Sequence, residues 1–229
     1  MTNNVPDSLK VDARRLRRGR PRGFKVAEVV EAAKELFWEH GYQGSTLADL
    51  ELATGLNRSS LYQAFGTKEA LFVEALDAYI DTFVAPRLEA MGRPGARPRD
   101  VTAFFGDLAT LFRDDPALWR RGCLWVNSFA EFSGREPPEG RAAEYRHRLQ
   151  SAFANALAEV PGGVSTSAAL VEQRSRLLTA TTFGIWLTAR VDPTDAAGIC
   201  DDVIAEVRSW GGRAAARQPP GPAARPRQR

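Results

Sequence analysis

The chain has 229 residues, 44% hydrophobic and 26% charged, which is the make-up of a globular protein and not of a disordered one. No run of about 18 apolar residues occurs, which excludes a transmembrane helix. Two cysteines and two histidines, far apart in sequence, exclude a disulfide framework and leave metal catalysis without ligands. The net charge of +3 conceals a division: residues 10–25 carry +7, residues 207–229 carry +6, and the stretch between them carries −9.

In chain order, residues 1–22 read as a basic arm, unfolded by like-charge repulsion and of a kind that often binds nucleic acid. They contain no apolar h-region of a secretory signal, so a cytoplasmic protein is expected. Segment 24–41 spaces Val26, Val29, Val30, Ala33, Leu36 and Phe37 at steps of three and four, with Glu28, Glu31, Lys34 and Glu35 opposite, which predicts an amphipathic helix stopped at Gly41. Thr46 is a good N-cap for a short helix over 47–53, with Asp49 placed to reach back. A turn at Gly55 follows, then a helix over 58–65 capped by Asn57 and ended by Gly66, then one helix over 68–90 capped by Thr67. Further helices are predicted at 100–113, 116–121, 123–132, 140–159, 167–190 and 194–210, separated by Pro- and Gly-rich breaks at 93–99, 133–134, 136–140 and 161–163. Gly211 and Gly212 are expected to close the last helix, and residues 211–229 read as a second basic, Pro- and Arg-rich tail. No strand pattern and no repeat appears, so the fold class is all-α.

Two short helices joined by a Gly-containing turn form a helix-turn-helix, whose second helix fits the major groove with its N-terminal residues at base edges. On the second helix Arg58, Ser59, Ser60 and Gln63 point outward, while Leu56, Leu61 and Phe65 face a small core with Leu47, Leu50 and Ala53. Arginine pairs bidentately with guanine and glutamine with adenine. Thr46, Tyr62 and Lys68 stand where hydroxyl and ammonium groups hold phosphates, and Arg22, at the end of the basic arm, is counted with the DNA-binding residues, the arm being expected to reach a minor groove. Glu51 puts an acid near the path of a duplex, either turned sideways to solvent or weakening the contact.

The run from Thr46 to Leu71, TLADLELATGLNRSSLYQAFGTKEAL, resembles the signature of the TetR family of bacterial transcriptional repressors. Thr46, Gly55, Leu61, Tyr62, Phe65, Lys68, Glu69 and Leu71 match it directly, while Glu51, Ser59 and Ala64 depart from it, so base preference does not carry over. The resemblance spans residues 24–75. It implies a helix-turn-helix domain over 23–67, a helical ligand-binding and dimerisation domain over 68–210, and a homodimer paired through its last two helices. Two reading helices would then meet a near-palindromic operator in successive major grooves.

Within 167–190 the many apolar residues and Gly184 suit either an internal core helix or a subunit seam; Leu178, Phe183, Trp186 and Leu187, with Val203 and Val207 of the last helix, are assigned to the seam. Phe104, Phe105, Leu108, Trp125 and Phe129, with Asn127 and Tyr145 as polar groups, are expected either to pack the core or to line a pocket for a small, largely apolar effector. Cys123 beside Arg120 and Arg121 is either inert packing or an oxidation sensor. No catalytic triad, nucleotide-binding glycine motif or metalloprotease motif is present, so no enzyme, cofactor or metal is expected. Two readings follow: a ligand-responsive repressor on duplex DNA, or a helical dimer whose basic arms bind nucleic acid without sequence choice.

Overall fold

The computed structural model describes residues 25–132, 138–158 and 166–216. Arg22 with its arm, the breaks at 133–134 and 161–163, and the end of the tail lie outside them. Every regular element among the described residues is helical. Helix α1 (Val26–Gly44) buries Val29, Val30, Ala33, Phe37 and Trp38, the predicted stripe extended by a tryptophan. Gly41 departs from helical geometry at φ +74°, and the helix kinks there rather than stopping. Helix α2 (Leu47–Thr54) starts at a capping box between Thr46 and Asp49. Gly55, at φ +68°, turns the chain into α3 (Arg58–Phe65), capped by Asn57.

The predicted helix over 68–90 is divided. Helix α4 (Lys68–Tyr79) passes into a π-helical turn at Ile80–Val84 and then α5 (Ala85–Gly92). Pro86 supplies the reason: it has no N–H to give to the carbonyl one turn back, so the regular ladder lapses just before it. The body continues with α6 (Pro98–Asp114), α7 (Pro116–Trp119), α8 (Leu124–Phe132), α9 (Pro138–Ala158), α10 (Ala168–Val191) and α11 (Pro193–Ala216). Among the described residues four helices, α6, α7, α9 and α11, start on proline, whose missing donor costs nothing at that position. Several boundaries differ from expectation: α6 and α9 begin at Pro98 and Pro138, both inside predicted loops, α7 ends at Trp119, and α11 runs through Gly211 and Gly212 to Ala216. Two glycines lower helix propensity by about 2 kcal/mol in sum, which does not dictate a stop.

Helices α1 to α4 make a small head in which α1 packs on α2 and α4; in the body α6 lies along α11, and α9 and α11 flank α10. The two share one hydrophobic core, because Trp38 of α1 stacks edge-on against Tyr79 and Phe83 and lies 5.8 Å from Trp119. Its indole N–H donates to the Gly122 carbonyl at 2.8 Å, a buried bond across 84 residues of sequence. Arg121 lies over the same indole, 3.4 Å from the ring centroid, and pairs with Glu35 at 2.6 Å. Glu131 of α8 accepts the Gln43 amide at 2.8 Å beside the Gly41 kink.

Candidate nucleic-acid interface and regulatory site

The α2–α3 unit is fixed from within by a few apolar anchors. Leu50 is fully buried and Leu61 is 4% exposed, with Leu47, Leu56 and Phe65 packed at the margin. Ala53, expected in this core, is exposed instead, and Leu52 next to it is 87% exposed. With Leu61 turned inward, the helix period places Arg58, Ser59, Tyr62 and Gln63 on the outer surface, and all four are exposed. Ser60 is half-buried, and its amide donates to the Asn57 side chain at 2.9 Å, so its backbone serves the cap. The Arg58 guanidinium lies 5.7 Å from the Tyr62 ring centroid, one helical turn on, so cation and phenol share one edge of the surface.

Thr46 is exposed at the start of α2, but its hydroxyl is engaged with the Asp49 carboxylate at 2.7 Å. The Thr46 hydroxyl and amide hold the Asp49 carboxyl below the ordinary carboxylate range, helped by the charges of His40 and Lys68. Lys68 departs from the role expected of it. It is half-buried, its ammonium donates to the Tyr42 carbonyl at 2.5 Å, and it sits 4.3 Å from the Tyr42 ring centroid. Desolvation lowers its pKa, while Glu131 and Asp49 pull the other way. Here Lys68 ties α4 to the end of α1. Glu51 is clarified too: its carboxylate accepts the Arg58 amide, satisfying an orphan donor at the first turn of α3. The sequence held that signal as an acid seven residues before a helix start.

Six of the seven residues assigned to the effector pocket fall into two groups. Phe104 and Phe105 pack with Phe153, Phe105 lying parallel to it at 5.8 Å, and Leu108 is 1% exposed; these three assigned residues sit in close-packed core. Trp125 stacks on Tyr145 at 5.5 Å, and Phe129 meets Tyr145 and Phe183. A slot of about 260 Å³ opens onto Trp125 and Tyr145, rimmed by Asp77, Asp81, Arg141, Glu144 and Arg148. Arg141 pairs with Asp77 across it. Asn127 belongs to neither group: its amide donates to the Arg121 carbonyl at 2.7 Å, and it faces the Gly122 turn.

The seam assignment needs correction. Leu178, Trp186 and Val207 are buried inside the single chain, Phe183 packs into the aromatic group with Phe129 and Tyr145, and Val203 packs on the core. Of the six, Leu187 alone is exposed, at 54%. The free face of α10 is a different ladder, Leu177, Ala180, Gly184, Leu187 and Val191, with Leu177 57% and Val191 77% exposed.

Both cysteines are buried. Burial raises the Cys123 thiol above its ordinary pKa, and the Cys200 thiol is pushed up to about 12 by burial, with Asp201 adding to it. The two arginines beside Cys123 in sequence point elsewhere, Arg121 to Glu35 and Arg120 to the Val191 carbonyl. Among the described residues no group of three His, Cys, Asp or Glu side chains is placed to hold a metal, and no helix is long and apolar enough to cross a membrane.

Residues 29–75 match the sequence profile described as "Bacterial regulatory proteins, tetR family". The chain is 35% identical over 136 residues to the HTH-type transcriptional repressor ComR of Escherichia coli (strain K12), covering 58% of this chain and 63% of that one. It is 32% identical over 140 residues to the HTH-type transcriptional regulator YezE of Bacillus subtilis (strain 168), covering 61% of this chain and 71% of that one. The fold is similar to a cysteine mutant of the TetR family regulator CifR complexed with a 26 bp operator duplex, with a TM-score of 0.64, 24% identity, and coverage of 81% of this chain and 98% of that one.

Proposed function

The chain belongs to the TetR family of bacterial regulatory proteins, whose members act by binding DNA and not by catalysis, and from that premise we propose a dimeric repressor that reads a near-palindromic operator and is released by a small molecule. The observation that carries this reading is the division of labour on α3: Leu61 anchors the helix while Arg58, Ser59, Tyr62 and Gln63 face outward together. Arg58 and Gln63 read bases in it; Ser59, Ser60 and Tyr62 fix position on phosphates, with Arg22 extending the contact from the arm, and Thr46 holds the start of α2 through its cap. Lys68 supports this surface from behind.

Dimerisation uses the α10 ladder from Leu177 to Val191, whose steps of three and four make a straight apolar seam, with Ala180 and Gly184 admitting close helix approach. The effector enters at the slot over Trp125 and Tyr145. Its charged rim favours an amphipathic molecule over a wholly apolar one. The slot touches α4 at Asp77 and the π-turn at Ile80 and Asp81, so an occupant bears on the helix that begins at the head. Release requires only that the effector prefer the subunit arrangement that does not fit DNA.

Selection of bound duplexes from a random pool, followed by titration at fixed salt, tests the reading. The selected duplex should bind about 10³-fold or more tightly than random duplex. Equal affinity, collapsing together as salt rises, would instead mark binding by charge alone and overturn it.

A further inference from the structure

The end of the body away from the head holds a second concavity, where the starts of α6 and α10 meet the last turns of α9 and α11. Its volume is about 420 Å³, inside the span of about 300–1,000 Å³ common for small-molecule sites. Four arginines from three stretches of chain, Arg97 and Arg99, Arg174, and Arg208, line it, and no acidic side chain does. Its wall is apolar: Leu157 and Val207 are buried, and Trp210 lies half-buried beside them. The Arg174 guanidinium lies 4.3 Å from the Trp210 ring centroid, and the indole N–H donates to Glu206 at 2.7 Å, so the ring is held in place. Two carboxylates stand just outside the lining: Asp100 accepts the Arg97 amide at 2.6 Å in the cap of α6 and lies 4.0 Å from Arg99, and Glu206 accepts the Trp210 indole N–H.

Four guanidinium groups around one hollow that no carboxylate lines give it a positive field. We propose that this concavity binds an amphipathic anion, its carboxylate or phosphate head held by the arginines and its apolar body against Leu157, Val207 and Trp210. The planar fork of a guanidinium matches either head bidentately, and several forks around one hollow hold it more firmly than one. This concavity shares no lining residue with the slot over Trp125 and Tyr145, and the inference does not depend on the DNA-binding reading. Its occupant ties the start of α6 to α10 and α11, which makes it a second input to the body.

Calorimetric titration of the full chain with octanoate, phenyl phosphate, inorganic phosphate and 1-octanol tests this. At least one of octanoate and phenyl phosphate should bind with a Kd below about 1 mM, with phosphate alone and octanol each about tenfold weaker or more. The stronger of the two identifies the head. The double variant Arg99→Gln/Arg208→Gln changes two exposed side chains and should weaken the anion about tenfold or more while leaving the thermal melt in place. If that variant does not fold, the wild-type affinity must still fall as salt rises from about 0.05 to about 0.5 M. Silence from both anions, octanol binding as tightly as octanoate, inorganic phosphate matching phenyl phosphate, an indifferent double variant, or salt-independent binding would each overturn the proposal.

Discussion

Gln63 is exposed on α3 one residue from Tyr62 and two from the buried Leu61, so shortening it removes a reader without touching an anchor. Gln63→Ala should cost about 1–3 kcal/mol at particular base positions and little on random duplex, measured by binding to single-substituted operators. An equal loss on every duplex would assign Gln63 to the backbone instead. The cysteines yield a second expectation. With both thiols buried and their pKa values raised, neither offers a thiolate near neutral pH, so a thiol-reactive disulfide should label neither until the chain is unfolded. Rapid native labelling of Cys123 would reopen its sensing role. At this scale the sequence told which residues leave the helix surface but not what they touch. Lys68 sits where a phosphate-binding lysine would, yet the Tyr42 carbonyl, 26 residues away, takes its ammonium. Glu51 looked like a liability and is a cap.

The short helices of the head lean on their ends. Each has only eight residues, below the length at which a helix persists alone, so capping and tertiary contacts carry it. Asn57 accepts the Ser60 amide at the start of α3, and Asn57→Ala should lower unfolding free energy by about 1 kcal/mol in urea titration, weakening operator binding further as α3 frays. The Asp49 cap of α2 depends on pH. Its folded pKa lies below the unfolded value near 3.8, so its contribution is complete above that value and is lost as pH falls through the lower folded one. Head-helix signals should therefore weaken below about pH 4, and Asp49→Asn should remove that part of the acid response. These caps were legible because capping is local. The helix over 68–90 was read correctly as helical, but its π-turn was not read, although Pro86 was in plain view. The end of α11 was misplaced because Gly211 and Gly212 signal a stop only where nothing nearby favours continuing.

Across the whole molecule, the order of helices is legible in the sequence, while which face of each meets which neighbour is not. Helix α10 carries apolar residues all round, so periodicity showed that it was buried or paired and left the choice of side to the fold. Trp186 turned inward to Phe112 and Trp119, leaving Leu187 outside. Leu187→Glu sets a charge on the proposed seam without entering the core. It should convert a dimer into monomers by light scattering, with the helical content kept and operator affinity reduced about a hundredfold or more. A variant that stays dimeric would move the seam elsewhere.

The joint between head and body rests on two glycines. A methyl group at position 41 would lie 2.5 Å from the Glu131 carboxylate, and one at 122 would lie 2.8 Å from the Arg190 side chain, and both positions hold positive φ that L residues resist. An evolving lineage can therefore rewrite α3 letter by letter and trade one operator for another, since those side chains face outward. It has no comparable freedom at positions 41 and 122, where any side chain must be carried on a backbone at positive φ. On the proposed function, new addresses come cheaply in such a design, while a new manner of listening does not.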